Sequence, residues 1–413
     1  MYKILKTLNS KKKMNIKNYN RKNLIILTTS LHLFFSFITF AQNQITPYLF
    51  TNDILKDTLN QSLSWKFEQG AVAFSFANQY DNVLKMRQTP NPIKSKISEK
   101  DSLIFATLKQ VNAKEFIVEQ SKNVEIVIIN EAHHLARHRT FTKSILEGLY
   151  KNGYRYLGLE ALNDAEINRR NFAILESGFY TKEPEFGSLI AEARQIGFTL
   201  FGYEASDEKN GKEREIEQAL HIKAFMEQNP NGKTLIYCGY AHAYENEYAP
   251  WGFAMAGRLK DILKTDPLTI DQTMFVEKFN KNYNNLLIKE NKTREATVLI
   301  DKNGNVFNGF QDKKQTDIVI IHPETNYINL KPDWFITGKN KYEIPMHNFE
   351  NNAEYLVLAY RNKEFELNGI PADITEIPKN KKGNFLYLKK GTYQIIIKDK
   401  NYTIIKKYKL KIR

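Results

Sequence analysis

Three of the chain's eight histidines, His133, His134 and His138, fall within six residues beside Glu131 and Arg137, in the run Asn130-Glu-Ala-His-His-Leu-Ala-Arg-His. A histidine titrates near neutral pH, and a neighbouring carboxylate fixes its tautomer and raises its basicity, so this grouping suits proton transfer or metal ligation. His134 and His138 are four apart. On a helix that has already begun they share a face, where they can hold a metal or orient one another. The zincin arrangement is absent: it places Glu directly after the first histidine and a second histidine three residues on, whereas Leu-Ala-Arg-His follows His134. Glu160, Arg214-Glu215 and His242 supply further groups of the same chemical kind.

Other catalytic signatures are missing. The chain has no Gly-x-Ser-x-Gly elbow, no Gly-x-x-x-x-Gly-Lys-Ser/Thr loop and no Gly-x-Gly-x-x-Gly, which removes serine-elbow catalysis and nucleotide use. Cys238 is the only cysteine. Its place inside an apolar strand reads as a small buried hydrophobe rather than a nucleophile.

These residues follow the elements that must position them. The β-branched run Val124-Glu-Ile-Val-Ile-Ile129 predicts a buried strand that ends at the histidine cluster. Phe141, Ile145, Leu146 and Leu149 recur at helical spacing over 139–151, and Asn152-Gly153 closes that helix. Residues 154–159 then form a second strand that ends on Glu160. Helical material over 164–196 leads to the strand Phe198–Phe201 and to Gly202-Tyr203-Glu204. A helix over 212–228 precedes the strand Thr234–Tyr237, followed by Gly239-Tyr-Ala-His242. Such alternation predicts an α/β fold with a mostly parallel sheet and right-handed crossovers. All strand carboxyl ends then lie on one edge, where open α/β sheets bind ligands.

The strand-end motifs resemble the erythromycin-esterase-like, Tiki-like and ChaN-like superfamily. Its landmarks are Gly-Glu-x-x-His after the first strand, a second strand ending in Glu, an Arg followed by an acidic residue on a helix, and a last strand ending in His. Asn130-Glu131-Ala-His-His134, Leu159-Glu160-Ala161, Arg214-Glu215 and Gly239-Tyr-Ala-His242 match them in order. Gly252-Phe-Ala-Met-Ala-Gly-Arg-Leu-Lys is similar to the segment that follows the family's last histidine. The resemblance covers roughly 121–335. One position departs from it, since Asn130 replaces the family glycine; asparagine tolerates left-handed backbone and brings a side chain toward the pocket.

The resemblance and the residue chemistry together imply a hydrolase of ester or peptide bonds. His134 is the expected general base, Glu131 and Glu160 its orienting or water-holding partners, His242 a second acid or base, and Arg214 the stabiliser of a developing oxyanion. Family members include esterases without a required metal and proteases that use a divalent metal, for which His134, Glu160, His242 and His138 are the candidate ligands. ChaN-like members hold haem instead, which makes a haem-binding protein the competing class, with Tyr240 and Tyr244 as candidate ligands or rim residues. A plain structural alternative remains, in which the set is a hydrogen-bonded polar network. The sequence names no substrate, whether small molecule or peptide.

The first forty residues carry eight basic and no acidic residues, then an apolar stretch from Leu24 to Phe40. That order predicts a signal peptide over 1–41 with cleavage near Ala41, and hence an exported protein, periplasmic or secreted, without a membrane span after processing. An uncleaved anchor is the alternative, although the apolar run is short for a bilayer. The formal charge of +14 falls to +6 once those eight residues leave. Twelve basic residues against Asp399 crowd into 379–413, so 42–378 sum to −5. Nucleic acid is therefore not implied, and the lysines read as protection of a strand edge. The remaining roughly 370 residues exceed one core. They divide into a helical segment over 42–120, the α/β domain over 121–338 and a small all-β unit over 342–413. Oligomeric state is not legible.

Overall fold

The computed structural model describes residues 46–413 except 60, 63–65, 89–98, 292, 310–313, 346, 348, 351 and 381–383. The leader expected over 1–41 lies outside the described residues, as do 89–98 of the helical segment expected over 42–120. Pro47–Arg413 form one compact unit.

Its centre is a six-stranded parallel sheet. The strands are β1 (Ile126–Glu131), β2 (Tyr154–Leu159), β3 (Thr199–Gly202), β4 (Lys233–Gly239), β5 (Leu268–Asp271) and β6 (Ile318–Val319), in the order β3-β2-β4-β1-β5-β6. Successive strand residues face opposite sides, and both sides are apolar here. Val127, Ile129, Leu157, Leu159, Leu235 and Tyr237 enter one core. Ile126, Ile128, Ile236 and Cys238 enter the other. A parallel sheet needs both faces covered. Helices α1 (Ala136–Lys151) and α2 (Pro184–Ile196) cover the first face; α3 (Gly211–Gln228) and α4 (Met255–Leu263) cover the second. Each Ile, Val or Leu removed from water contributes roughly 1.5–3 kcal/mol. That reserve lets the strand tips carry ionised groups whose burial works against folding.

Register fixes which polar groups meet. Glu131 lies opposite Gly239 and Asn130 opposite Cys238 in the β1–β4 ladder, while Leu159 pairs with Tyr237 of β4. The alternation carries Glu131 to the α1–α2 face. The buried stripe on α3, Glu215, Gln218, Ala219 and Ile222, has helical spacing, and its polar end lies at the sheet edge.

The segment before β1 departs in part from the helical reading of 42–120. Helix Glu99–Ala106 gives way to a strand, Lys109–Asn112, which pairs antiparallel with Thr297–Ile300. Tertiary pairing overrides local helix preference there. The C-terminal unit is an antiparallel sheet of β7 (Tyr355–Arg361), β8 (Asp373–Ile377), β9 (Gly391–Lys398) and β10 (Ile404–Ile412), ordered β8-β7-β9-β10. The lysine-rich β10 is its edge. One face of this sheet packs Leu356, Leu358 and Ile396 against Tyr48, Phe50, Val72 and Phe76. Among the described residues no helix is long and apolar enough to cross a membrane.

Candidate functional site

Beyond β1 the chain stays partly extended before it turns. Leu135 N–H donates to Ala132 O at 2.8 Å, and α1 starts only at Ala136. A turn at His133-His134 therefore separates strand from helix, and across it His133 comes back beside Glu131 while His134 points away. Nδ1 of His133 lies 3.0 Å from Oε1 of Glu131. The His133 ring stacks on Tyr180 with centroids 3.9 Å apart and meets the Tyr240 ring edge-on.

Glu131 is itself fixed from three directions. Arg139 on α1 donates from Nε to Oε2 at 2.6 Å and from Nη2 to Oε1 at 2.7 Å, and Tyr237 on β4 donates its hydroxyl to Oε2 at 2.6 Å. Arg139 also donates to Glu183 at 3.0 Å and to the carbonyl of His133 at 2.7 Å. Burial disfavours the Glu131 anion, but Arg139 and the His133 hydrogen bond outweigh it and hold its pKa well below the usual carboxylate range. Burial and the neighbouring Glu131 anion push the Tyr237 phenol far up. Glu131 is thus a fixed anion that orients His133, whose Nδ1–H it accepts when the ring is neutral.

The second half of the site follows β2. Oε2 of Glu160 accepts the Gly239 N–H at 2.5 Å, and Oε1 accepts from Arg214 Nη2 at 2.6 Å. His242 brings Nε2 to 3.3 Å from Oε1 of Glu160 and 3.0 Å from Arg214 Nη1. Its Nδ1 lies 2.9 Å from Oε2 of Glu215, which also accepts the Met255 N–H at 2.8 Å. Trp251 stacks on the ring at 5.0 Å. Burial works against a charged His242, yet Glu160 and Glu215 lift its pKa above the ordinary histidine value. Burial likewise works against ionised Glu160, but His242, His133 and Arg214 together keep it below its ordinary value. Arg214 is further clamped by Glu204 at 2.9 and 2.5 Å while its side chain stays 29% exposed.

Gly239 joins the halves. A Cβ there would stand 2.5 Å from Nε2 of His133 and 3.3 Å from Oε2 of Glu160. Nε2 of His133 and Oε2 of Glu160 thus flank the Gly239 hydrogen without an ion pair between them, and among the described residues no hydrogen bond occupies that nitrogen.

The expected residues divide accordingly. Glu131, Glu160, Arg214 and His242 converge, with His133 among them. His134 does not: its Nδ1 meets the Tyr240 hydroxyl at 3.2 Å, and it lines a cavity of about 820 Å³ with Tyr240, Arg87, Glu68 and Phe279. Burial depresses its pKa, aided by Arg87 and His138. His138 is buried behind β1, where its Nδ1 accepts the Ala132 N–H at 3.0 Å and its ring stacks on His322. Burial lowers its pKa to about 3. Tyr240 adopts a left-handed φ of 40°, a conformation that costs free energy for such a residue. Tyr244 packs against Tyr248 and does not share the Tyr240 cavity. Asn130 stays extended, and its amide points along the sheet edge, donating to Tyr240 O at 2.8 Å and Asp271 at 2.9 Å while accepting from Gln272 N at 2.7 Å. The expected intrusion of Asn130 into the pocket is replaced by a tie between three strand tips, because partners on both neighbouring strands claim all of its polar atoms. Cys238 is buried, as its strand position predicts.

The sequence placed His133 in the cluster and Glu204 at a strand tip without giving either a role, and it did not show Arg139 or the pairing of Glu215 with His242. The two-residue spacing of Glu131 and His133 was the available signal, against the four-residue spacing that favoured His134 with His138. A divalent metal does not fit the arrangement. Among the described residues no three His, Cys, Asp or Glu groups are disposed to hold one, and the Arg214 guanidinium already stands as the cation between Glu160, Glu204 and His242.

No protein-family model and no curated protein matches the chain. Among solved structures it is similar to the type III effector HopBA1, at 10% identity over 52% of this chain and 97% of that one, with a TM-score of 0.35. It is also similar to RRSP, a MARTX toxin effector domain from Vibrio vulnificus, at 12% identity over 62% of this chain and 48% of that one, with a TM-score of 0.28. A further neighbour, described as bacterial protein toxins, shows 14% identity over 53% and 46% and a TM-score of 0.30. The chain spans about half the length of the latter two.

Proposed function

We propose that the strand-edge cluster is a hydrolytic centre for ester or peptide bonds, worked by two histidines of opposite character. The observation that carries this reading is the orientation of His133, with Nδ1 held by an anchored carboxylate and Nε2 unengaged against Gly239. A neutral ring so held presents a lone pair as a general base. His242 is held in the reverse sense, since Glu160 and Glu215 favour its protonated form and suit it to give a proton.

In this mechanism Nε2 of His133 removes a proton from water as the water oxygen bonds to the substrate carbonyl carbon. The resulting oxyanion faces Arg214, whose partly exposed guanidinium supplies fixed positive charge. The bond to the leaving oxygen or nitrogen then breaks as protonated His242, its Nε2 turned away from the Arg214 N–H, donates a proton to the leaving group, which gives an acid and an alcohol or amine. Glu160 positions His242, and Glu131 positions His133. The order of the strand-end motifs supports placing the chain near the erythromycin-esterase-like and Tiki-like enzymes, and the basic, then apolar, leader supports export with processing near Ala41.

Turnover of a panel of p-nitrophenyl esters and fluorogenic peptides by the purified protein tests the reading, with His133→Ala and His242→Ala as controls. Activity that survives both substitutions would overturn it. A shifted Soret band on titration with haem, without turnover, would reassign the His134–Tyr240 cavity to ligand binding.

A further inference from the structure

A second polar cluster lies away from the strand tips, between α1, α2 and the C-terminal unit. Lys143 Nζ contacts Oε2 of Glu185 at 2.5 Å, and Lys339 Nζ contacts Oε1 of the same carboxylate at 2.7 Å. Lys143 also reaches Glu192 at 3.6 Å, and Lys389 meets Glu192 at 2.9 Å. Three ammonium groups therefore share two carboxylates. The side chains of Lys143 and Lys339 are only 8% and 7% exposed, and Glu185 is fully buried. An uncompensated positive charge in such a place is costly unless something neutralises it. The imbalance is visible in Lys339, where burial overcomes Glu185 and lowers the pKa to about 8.

Both lysines line a cleft of about 1000 Å³ and a second cavity of about 380 Å³ that meets it at Lys143, Glu192, Lys339 and Lys389. Lys151, Arg361 and Lys390 add positive charge around the larger cleft, against Glu147 and Glu364. Arg361 is partly committed, donating to Ser188 at 2.7 Å. None of Glu131, His133, Glu160, Arg214 or His242 lines either cavity. The larger cleft has the volume of a small-molecule site.

We propose that this cleft binds a small molecule bearing clustered anionic oxygens, phosphoryl or carboxylate, which completes the charge balance of Lys143, Lys339 and Lys389. The site is separate from the hydrolytic reading and stands without it.

Isothermal titration of the full chain at constant ionic strength, with inorganic pyrophosphate and with citrate as probes and chloride as the control, tests it. Saturable binding of at least one probe is expected, at least ten-fold weaker in Lys339→Gln and in the rim variant Lys389→Gln. Lys302→Gln, on a distant exposed turn, should bind as the parent does. Pyrophosphate alone binding would mark a phosphoryl ligand, and citrate alone a polycarboxylate. The proposal is overturned if neither probe binds above chloride, if both cleft variants bind unchanged, or if Lys302→Gln weakens binding equally. Far-UV circular dichroism checks the fold of each variant, and Lys389→Gln, on a half-exposed side chain, gives the reading should Lys339→Gln unfold.

Discussion

Nδ1 of His133 lies 3.0 Å from Oε1 of Glu131, and the neighbouring His134 points instead to the Tyr240 hydroxyl. Adjacent histidines thus have separable roles. His133→Ala is expected to lower turnover by about 10²–10⁴-fold, the usual worth of a general base. His134→Ala should alter KM more than kcat, because it lines the cavity beside the site. Steady-state kinetics on one ester substrate distinguish the two, and equal kcat losses would count against this division.

Gly239 offers a sharper probe. Its backbone, at φ −88° and ψ 142°, accepts any residue, so Gly239→Ala adds only a methyl group where His133 stands. We expect kcat to fall by more than about ten-fold as the ring is displaced, with little change in the thermal midpoint. A variant with full activity would show that Nε2 of His133 is not the working atom.

Glu215 sets the protonation of His242 and gives a pH signature. Burial and Arg214 oppose the charged ring, while Glu160 and Glu215 favour it, and the net pKa is raised. Activity that needs protonated His242 falls as pH rises through that raised value. Glu215→Gln removes one of the two anions, so the falling limb should move to lower pH. The same linkage gives stability that is fully present below the unfolded histidine pKa and lost as pH rises through the folded one. A pH–kcat profile with an unmoved limb would sink the assignment.

Arg139 is fully buried between Glu131 and Glu183. Arg139→Met leaves both carboxylates without their cation, and removal of one partner from such a pair costs about 3–5 kcal/mol. Urea unfolding should show a loss of that order together with loss of turnover. A near-neutral effect would mean that the carboxylates take up protons without penalty.

The order of the strands is not legible in the sequence, since pairing is long-range, but the sheet and the edge that carries the polar tips are, because β-branched runs and helical spacings are strong local signals. Glu131, Glu160, Arg214 and His242 are legible for the same reason, each standing at the end of a strand or in the first turn of a helix. His133 was not, because the choice between it and His134 depends on where α1 begins, and a turn from Ala132 to Leu135 decides that. Glu183 and Tyr180 come from the chain between β2 and α2, whose path no short-range pattern encodes. The strand Lys109–Asn112 was hidden for a related reason, since its partner Thr297–Ile300 lies far along the chain.

The opposed facing of neighbouring residues in β1 has one more consequence. A shift of that strand by a single position would present Asn130 to Arg139 and carry Glu131 to the far side, breaking the strand-tip tie and the histidine anchor together. The same two side chains therefore report on the threading of the central strand, so a misthreaded molecule loses both contacts at once rather than one of them.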